Sequence, residues 1–295
     1  MDKTLTKGIS FSFVSALSFA TLAILIKIGY NNHLNTIQML FFRFLFATII
    51  MAFFFLITKP VILKPRPKLL LKAFLTGTVL YTAQAFCFFR GIKYVSPNVV
   101  ELILYLYPAT VTILSHFIFK ERINGYKAFF IGIILLGFAF IFHDAFGYKV
   151  KLLGVGYATL AMLVYSVYLV CVQILVKNEN PISFSFYTIF FAVLSFSAIS
   201  LSNFVIPRNL YQVTIGILLG LIPTFSAIMF LFMAIEIIGS ALTSLFSSVE
   251  PVFTIALAYL ILHIGLNRFQ LIGGILIIIG VTMANIYHAK RGTNA

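Results

Sequence analysis

Two carboxylates stand where a carboxylate is expensive. Of seven acidic residues, Asp2, Glu121, Asp144, Glu179 and Glu236 fall in tails, loops or the ends of apolar runs, whereas Glu101 and Glu250 lie within such runs. A charge at the centre of a bilayer costs at least about 2.5–3.5 kcal/mol, so an ionisable group at that depth points to ligand binding or ion exchange. Glu250 precedes Pro251 and follows Ser244, Ser247 and Ser248, whose spacings of three and four put their hydroxyls on one helix face. No cation in the neighbouring runs lies at an obviously matched depth, and a desolvated carboxyl without one suits a proton-coupled step. Glu101 has a candidate partner. Counting about 1.5 Å per residue, Glu101, Arg43 and Gln84 all fall roughly 6 to 11 Å below the same membrane face, so a Glu101–Arg43 pair bridged to Gln84 is expected. The tyrosines complete the set: Tyr105 and Tyr107 ahead of Pro108, Tyr165 and Tyr168 one turn apart, and Tyr81 with Phe86 further upstream. A tyrosine in a membrane span needs a partner for its hydroxyl, which makes these residues candidates for lining a cavity.

The elements that hold these groups are fixed by composition. The chain has 295 residues, 61% hydrophobic and 9% charged, with a mean hydropathy of +1.08. Soluble domains carry roughly 45–50% apolar and about 25% charged residues, so membrane is the solvent this composition fits. Apolar runs and turn residues give ten candidate spans at about 8–29, 36–58, 69–90, 97–119, 125–143, 152–176, 182–205, 213–235, 240–262 and 267–288. The first run is long enough to span and is followed by further spans, so it is read as a helix rather than a cleaved leader. Cys87 and Cys171 lie in apolar runs and are read as small hydrophobes. There is no Walker-type glycine loop and no His-Glu-x-x-His motif in the sequence. No catalytic residue, metal ligand or cofactor is expected, with coupling to a proton or another ion left open.

A net charge of +14 would suggest nucleic acid in a soluble protein, but here the basic residues orient the chain. With the N-terminus inside, 13 of the 21 Lys and Arg fall on the inner side. Seven fall outside (Lys27, Arg90, Lys93, Lys149, Lys151, Arg208 and Arg268), and Arg43 lies within a span. Both termini are therefore expected in the cytoplasm. The chain also repeats: a shift of 143 places Leu102 on Leu245, Pro108 on Pro251, Asn124 on Asn267 and Gly137 on Gly280. Five helices per half is an odd number, so residues 1–145 and 146–295 must enter the membrane from opposite sides. Inverted repeats of this kind build many secondary transporters, with the substrate near the midplane between the halves. Pro108 and Pro251, each mid-span, are expected to kink their helices.

Phe41-Phe42-Arg43-Phe44, Leu104-Tyr105-Leu106-Tyr107-Pro108, Phe119-Lys120-Glu121-Arg122-Ile123 and Val249-Glu250-Pro251 followed by Gly273 to Gly280 occur in that order. Their pattern resembles the EamA-type branch of the drug/metabolite transporter superfamily along essentially the whole chain. The resemblance implies ten helices in two inverted five-helix repeats. It also implies a central cavity lined largely by helices 1, 3, 4, 6, 8 and 9, and export or exchange of small metabolites, often amino acids or amphipathic compounds. One departure is that the family usually repeats the acid at Glu121, whereas the shifted position here is Ile264, preceded by His263. The expectation is an all-α, multi-pass protein of a bacterial or archaeal cell membrane that carries a small organic solute by alternating access. Its partners would be that solute and membrane lipid, not nucleic acid, with a homodimer left open. The rivals are an organic-anion or nucleotide-sugar carrier, which would want several cations facing the cavity beyond Arg43 and Lys27, and, from other classes, a channel or a membrane enzyme acting on lipid.

Overall fold

Helix boundaries follow the turn chemistry of the sequence. The computed structural model describes residues 3–95, 97–121, 123–143, 151–200, 209–263 and 267–292, and these residues contain helices and no strands. The crossings are α1 (Lys3–Asn31), α2 (Thr36–Thr58), α3 (67–94), α4 (97–119), α5 (Gly125–Ile141), α6 (Leu152–Val176), α7 (Pro181–Ser200), α8 (210–238), α9 (240–262) and α10 (Arg268–Gly292). Seven helical stretches are long and apolar enough to cross a membrane alone, and Gly125–Ile141, Glu250–Ile261 and Arg268–Ala284 are shorter apolar helices. One of the seven, Leu210–Ser247, fuses α8 to the start of α9 across Gly239. Large apolar side chains such as Phe53 (67% exposed) and Phe117 (75%) face outward, a surface that only lipid can cover. Among the residues placed above by sequence, Asp2, Arg122, Asp144, Lys149, Arg208 and Ile264 lie outside the described residues, as do the side chains of Lys27 and Lys93.

Local structure repeats in the two halves as the sequence does. Asn35 caps α2 by accepting from the Gln38 N–H, and Asn180, 145 residues on, caps α7 by accepting from Ile182 and Ser183. The left-handed residues pair in the same way: His33 (φ 61°) with Asn178 (φ 67°), and Lys120 (φ 57°) with His263 (φ 52°). Two crossings are broken at matched points. In α4, the helix Pro97–Leu104 ends in a turn at Tyr105 and Leu106, and Tyr107–Phe119 restarts with Pro108 in its first turn. In α9 the turn is at Ser248 and Val249, and Glu250–Leu262 restarts with Pro251 in its first turn. A proline, having no N–H, is accommodated at a helix start, which is why each break falls just ahead of it.

Two further crossings widen into π turns, Leu75–Tyr81 in α3 and Leu221–Ser226 in α8. A π turn shifts the carbonyl ladder by one residue, and a threonine hydroxyl takes up the slack in each: Thr82 donates to the Gly77 carbonyl (2.9 Å) and Thr224 to that of Leu219 (2.7 Å). At Gly77 a methyl group would run into the carbonyl of Thr188 on α7, and α7 leans on the π turn because glycine leaves that room.

Packing exchanges one helix between the halves. α1 packs on α8 and α9 of the second half, and α6 packs on α3 and α4 of the first. The result is two bundles, α1–α8–α9 and α6–α3–α4, related by the same pseudo-symmetry as the repeats. α2 and α7 pack on each other at the flank, and α5 pairs closely with α10. The side of the membrane that holds both chain ends is called the terminal side below, and the opposite one the far side.

Candidate functional site

The two helix breaks meet between the bundles. The Tyr105 hydroxyl on α4 donates to Oε1 of Glu250 on α9 at 3.2 Å. That is longer than the usual O–H···O separation near 2.7–2.8 Å, so the bond is weak enough to exchange for one to a ligand. Tyr105 is held by Phe138 of α5 and by Phe142 just past its end, with ring centroids at 5.1 and 5.8 Å. Glu250 opens the second half of α9, where the helix N-terminus favours a negative charge. Glu101 and Glu250 are each half-buried.

A wall of tyrosines runs from this point to Arg43. Tyr107 faces the Ser247 hydroxyl without closing a well-formed hydrogen bond. Its ring meets Tyr165 edge-on at 5.0 Å, Tyr165 stacks on Tyr168 at 6.1 Å, and Tyr168 stacks on Tyr81 at 5.3 Å. The Tyr81 hydroxyl accepts from Arg43 Nη2 at 3.0 Å. Ser247 and Tyr168, both at the wall, carry buried hydroxyls without a protein partner. Leaving such a group unsatisfied costs about 1–3 kcal/mol, so this surface favours a guest with polar atoms of its own. Ser244 takes no part, because its hydroxyl bonds back to the Ala241 carbonyl (2.9 Å), and Ser248 bonds back to Ser244 (3.1 Å). The serine stripe expected from spacing therefore reduces to Ser247.

The expected Glu101–Arg43–Gln84 cluster is not formed. Arg43 donates from Nε to the Thr224 hydroxyl (2.7 Å) and from Nη2 to the Pro223 carbonyl (3.0 Å) and Tyr81. The ion pairs among the described residues are Lys72–Glu179 and Lys127–Glu121. The reason is direction: α2 packs against the π turn of α8, so Arg43 meets acceptors there rather than α4. Glu101 and Gln84 make no side-chain hydrogen bond among the described residues. The three groups share a depth without sharing a contact.

The contacts of Arg43 also expose the symmetry, since Tyr81 and Thr224 are 143 residues apart and are each other's counterparts. A single buried guanidinium thus joins the π turns of the two repeats. Thr224, Gln173 and Ser240 had no place in the site drawn from sequence, whereas Tyr81 and Tyr107 stood there as cavity candidates without a stated partner. For Tyr107 a partner was signalled, because the 143-residue shift that aligns the prolines also sets Tyr107 on Glu250.

The bundles are not equally close at the two sides. The terminal-side halves of α4 and α9 pack together, and Ser240 bonds both to Gln173 on α6 and to Ser115 on α4. The far-side halves, Pro97–Leu104 and Glu250–Leu262, pack within their own bundles and make no extensive contact with each other among the described residues. Glu101 and Gln84 lie toward that separated side.

A family model described as the EamA-like transporter family matches residues 6–143 and again 152–286. The chain belongs to the EamA-like transporter family. This places it in the drug/metabolite transporter superfamily and makes it a multi-pass membrane transporter built of ten helices in two inverted repeats. It is similar to the "Uncharacterized transporter YyaM" of Bacillus subtilis (strain 168), at 27% identity over 207 residues and 67% of each chain. It also shares its fold with a solved chain described as "Crystal structure of protein", with a TM-score of 0.83 at 17% identity over 97% of this chain and 98% of the other. Within the EamA-like architecture, the family match recurring in each half coincides with the recurrence of helix breaks, caps and π turns.

Proposed function

We propose that this EamA-like transporter exports or exchanges a small organic metabolite, an amino acid or an amphipathic compound, by alternating access, with both termini in the cytoplasm of a bacterial or archaeal cell. The observation that carries the reading is the position of Glu250 and Tyr105. They bridge the breaks of α4 and α9 where a closed terminal side gives way to separated far-side halves. In exchange, a solute entering from the far side passes Glu101 and Gln84 and reaches Glu250 and the tyrosine wall, and an exported solute leaves by the same route. The weak Tyr105–Glu250 bond yields to it, and the bundles then rock about the breaks, closing the far side and opening the other. Glu250 exchanges a proton in that cycle. An organic-anion carrier would need free cations at this centre, whereas Arg43 is committed to Thr224, Pro223 and Tyr81.

A two-stage measurement tests this. Purified protein is screened against small metabolites for thermal stabilisation, since a ligand of the folded state raises apparent stability by mass action. Solutes that stabilise are then followed in proteoliposomes. The expected result is saturable flux of at least one stabilising amphipathic solute. Ohmic conductance in a planar bilayer, or stabilisation by organic anions alone, would overturn the assignment.

A further inference from the structure

The terminal side is closed by a polar latch. α8 and α9 are joined by a single residue, Gly239, whose φ of 77° and ψ of 165° are open essentially to glycine alone. This junction leaves the first backbone N–H groups of α9 without helical partners. Gln173, on α6 in the opposite bundle, supplies one: its Oε1 accepts from the Ser240 N–H and from the Ser240 hydroxyl, both at 2.6 Å. The same hydroxyl lies 3.3 Å from that of Ser115 on α4. Ser240 and Ser115 are fully buried. Three helices from the two bundles therefore converge on one serine.

The repeat shows what the other side has in its place. A shift of 143 carries Ser240 back to Pro97 and Ser115 forward to Ala258. Neither has a side-chain hydroxyl, and Pro97 has no N–H to offer. Among the described residues the device has no counterpart at the far side, where the halves of α4 and α9 make no extensive contact.

We infer that Gln173 is the bolt of a gate, holding α9 to α6 and biasing the transporter toward the state open on the far side. The inference rests on the alternating-access reading and adds to it which side is favoured and by which residue. When the bundles rock, both bonds to Gln173 break together and α9 swings from Gly239, where the chain already has the freedom of glycine. Weakening the bolt populates the state open on the terminal side.

The test uses the full-length chain with Cys87 and Cys171 replaced by Ala and one reporter cysteine at position 247 (Ser247→Cys), reached with a membrane-impermeant thiol reagent. Intact cells and inside-out vesicles present opposite faces to the reagent, and a tag on one terminus identifies the terminal side. In the Gln173→Leu background, labelling from the terminal side is expected to rise at least threefold while far-side labelling falls. Ser240→Ala, which loses one of the two donors to Gln173, is expected to give a smaller rise, and it keeps the test available if Gln173→Leu does not fold. A reporter reached from both sides but at rates unchanged by either substitution overturns the latch and leaves alternating access standing. A reporter reached from the far side alone in every background overturns alternating access, and the latch with it.

Discussion

Replacing Glu250 by Gln is expected to lower transport at least about tenfold, equivalent to about 1.4 kcal/mol, and to flatten its dependence on pH. Glutamine keeps an oxygen for the Tyr105 hydroxyl to donate to, so the contact between the broken helices survives. What it removes is the proton exchange and the charge at the start of the second half of α9. The measurement is solute flux in proteoliposomes across a pH series, paired with thermal unfolding to show that the variant is folded. Were Glu250 only a hydrogen-bonded strut between helices, the glutamine variant would transport like its parent. Glu101→Gln gives the contrast: lacking a protein partner, Glu101 is expected to alter apparent substrate affinity more than maximal rate.

Replacing Arg43 by Leu is expected to cost about 2–4 kcal/mol of stability, because it removes charge-assisted bonds to three acceptors, the Thr224 and Tyr81 hydroxyls and the π-turn carbonyl of Pro223. The thermal midpoint in detergent should fall, with a smaller fall in Thr224→Val, which removes one bond. Lysine is not an adequate replacement, since a single ammonium cannot span Tyr81 on one repeat and Thr224 on the other as a planar guanidinium does. A Leu variant as stable as the parent would show that the link between repeats contributes nothing to the fold.

These two residues also show what could be read from the sequence. Depth was legible, because helix rise converts residue count into height. It placed Arg43, Glu101 and Gln84 at similar levels. Direction around the helix axis was not, because it depends on which helices are neighbours, and α2 turns Arg43 toward α8. Glu250 was legible for a different reason: a carboxylate inside an apolar run is costly wherever it points. Proline marked the breaks of α4 and α9, since a missing N–H leaves its trace in sequence. The π turns were not read from the sequence, although Pro223 in the second lacks the N–H that a regular helix needs there; packing at Gly77 and Gly220 shows how closely α7 and α2 approach them. The Gln173 latch was equally hidden, its parts lying on three helices far apart in the chain.

Alternating access between the two bundles is the claim on which the rest depends, and the repeat names the contact that must form when the far side closes. Ser115 and Ser240 meet at the terminal side, and their counterparts are Ala258 and Pro97. The direct measurement is oxidative cross-linking of Pro97→Cys with Ala258→Cys in a chain lacking Cys87 and Cys171, with flux of a stabilising solute followed in the same proteoliposomes. The account predicts that the cross-link forms, that flux stops when it does, and that reduction restores it. A transporter that carries its solute at the parental rate with the far side cross-linked, or that never cross-links while transporting, would contradict it.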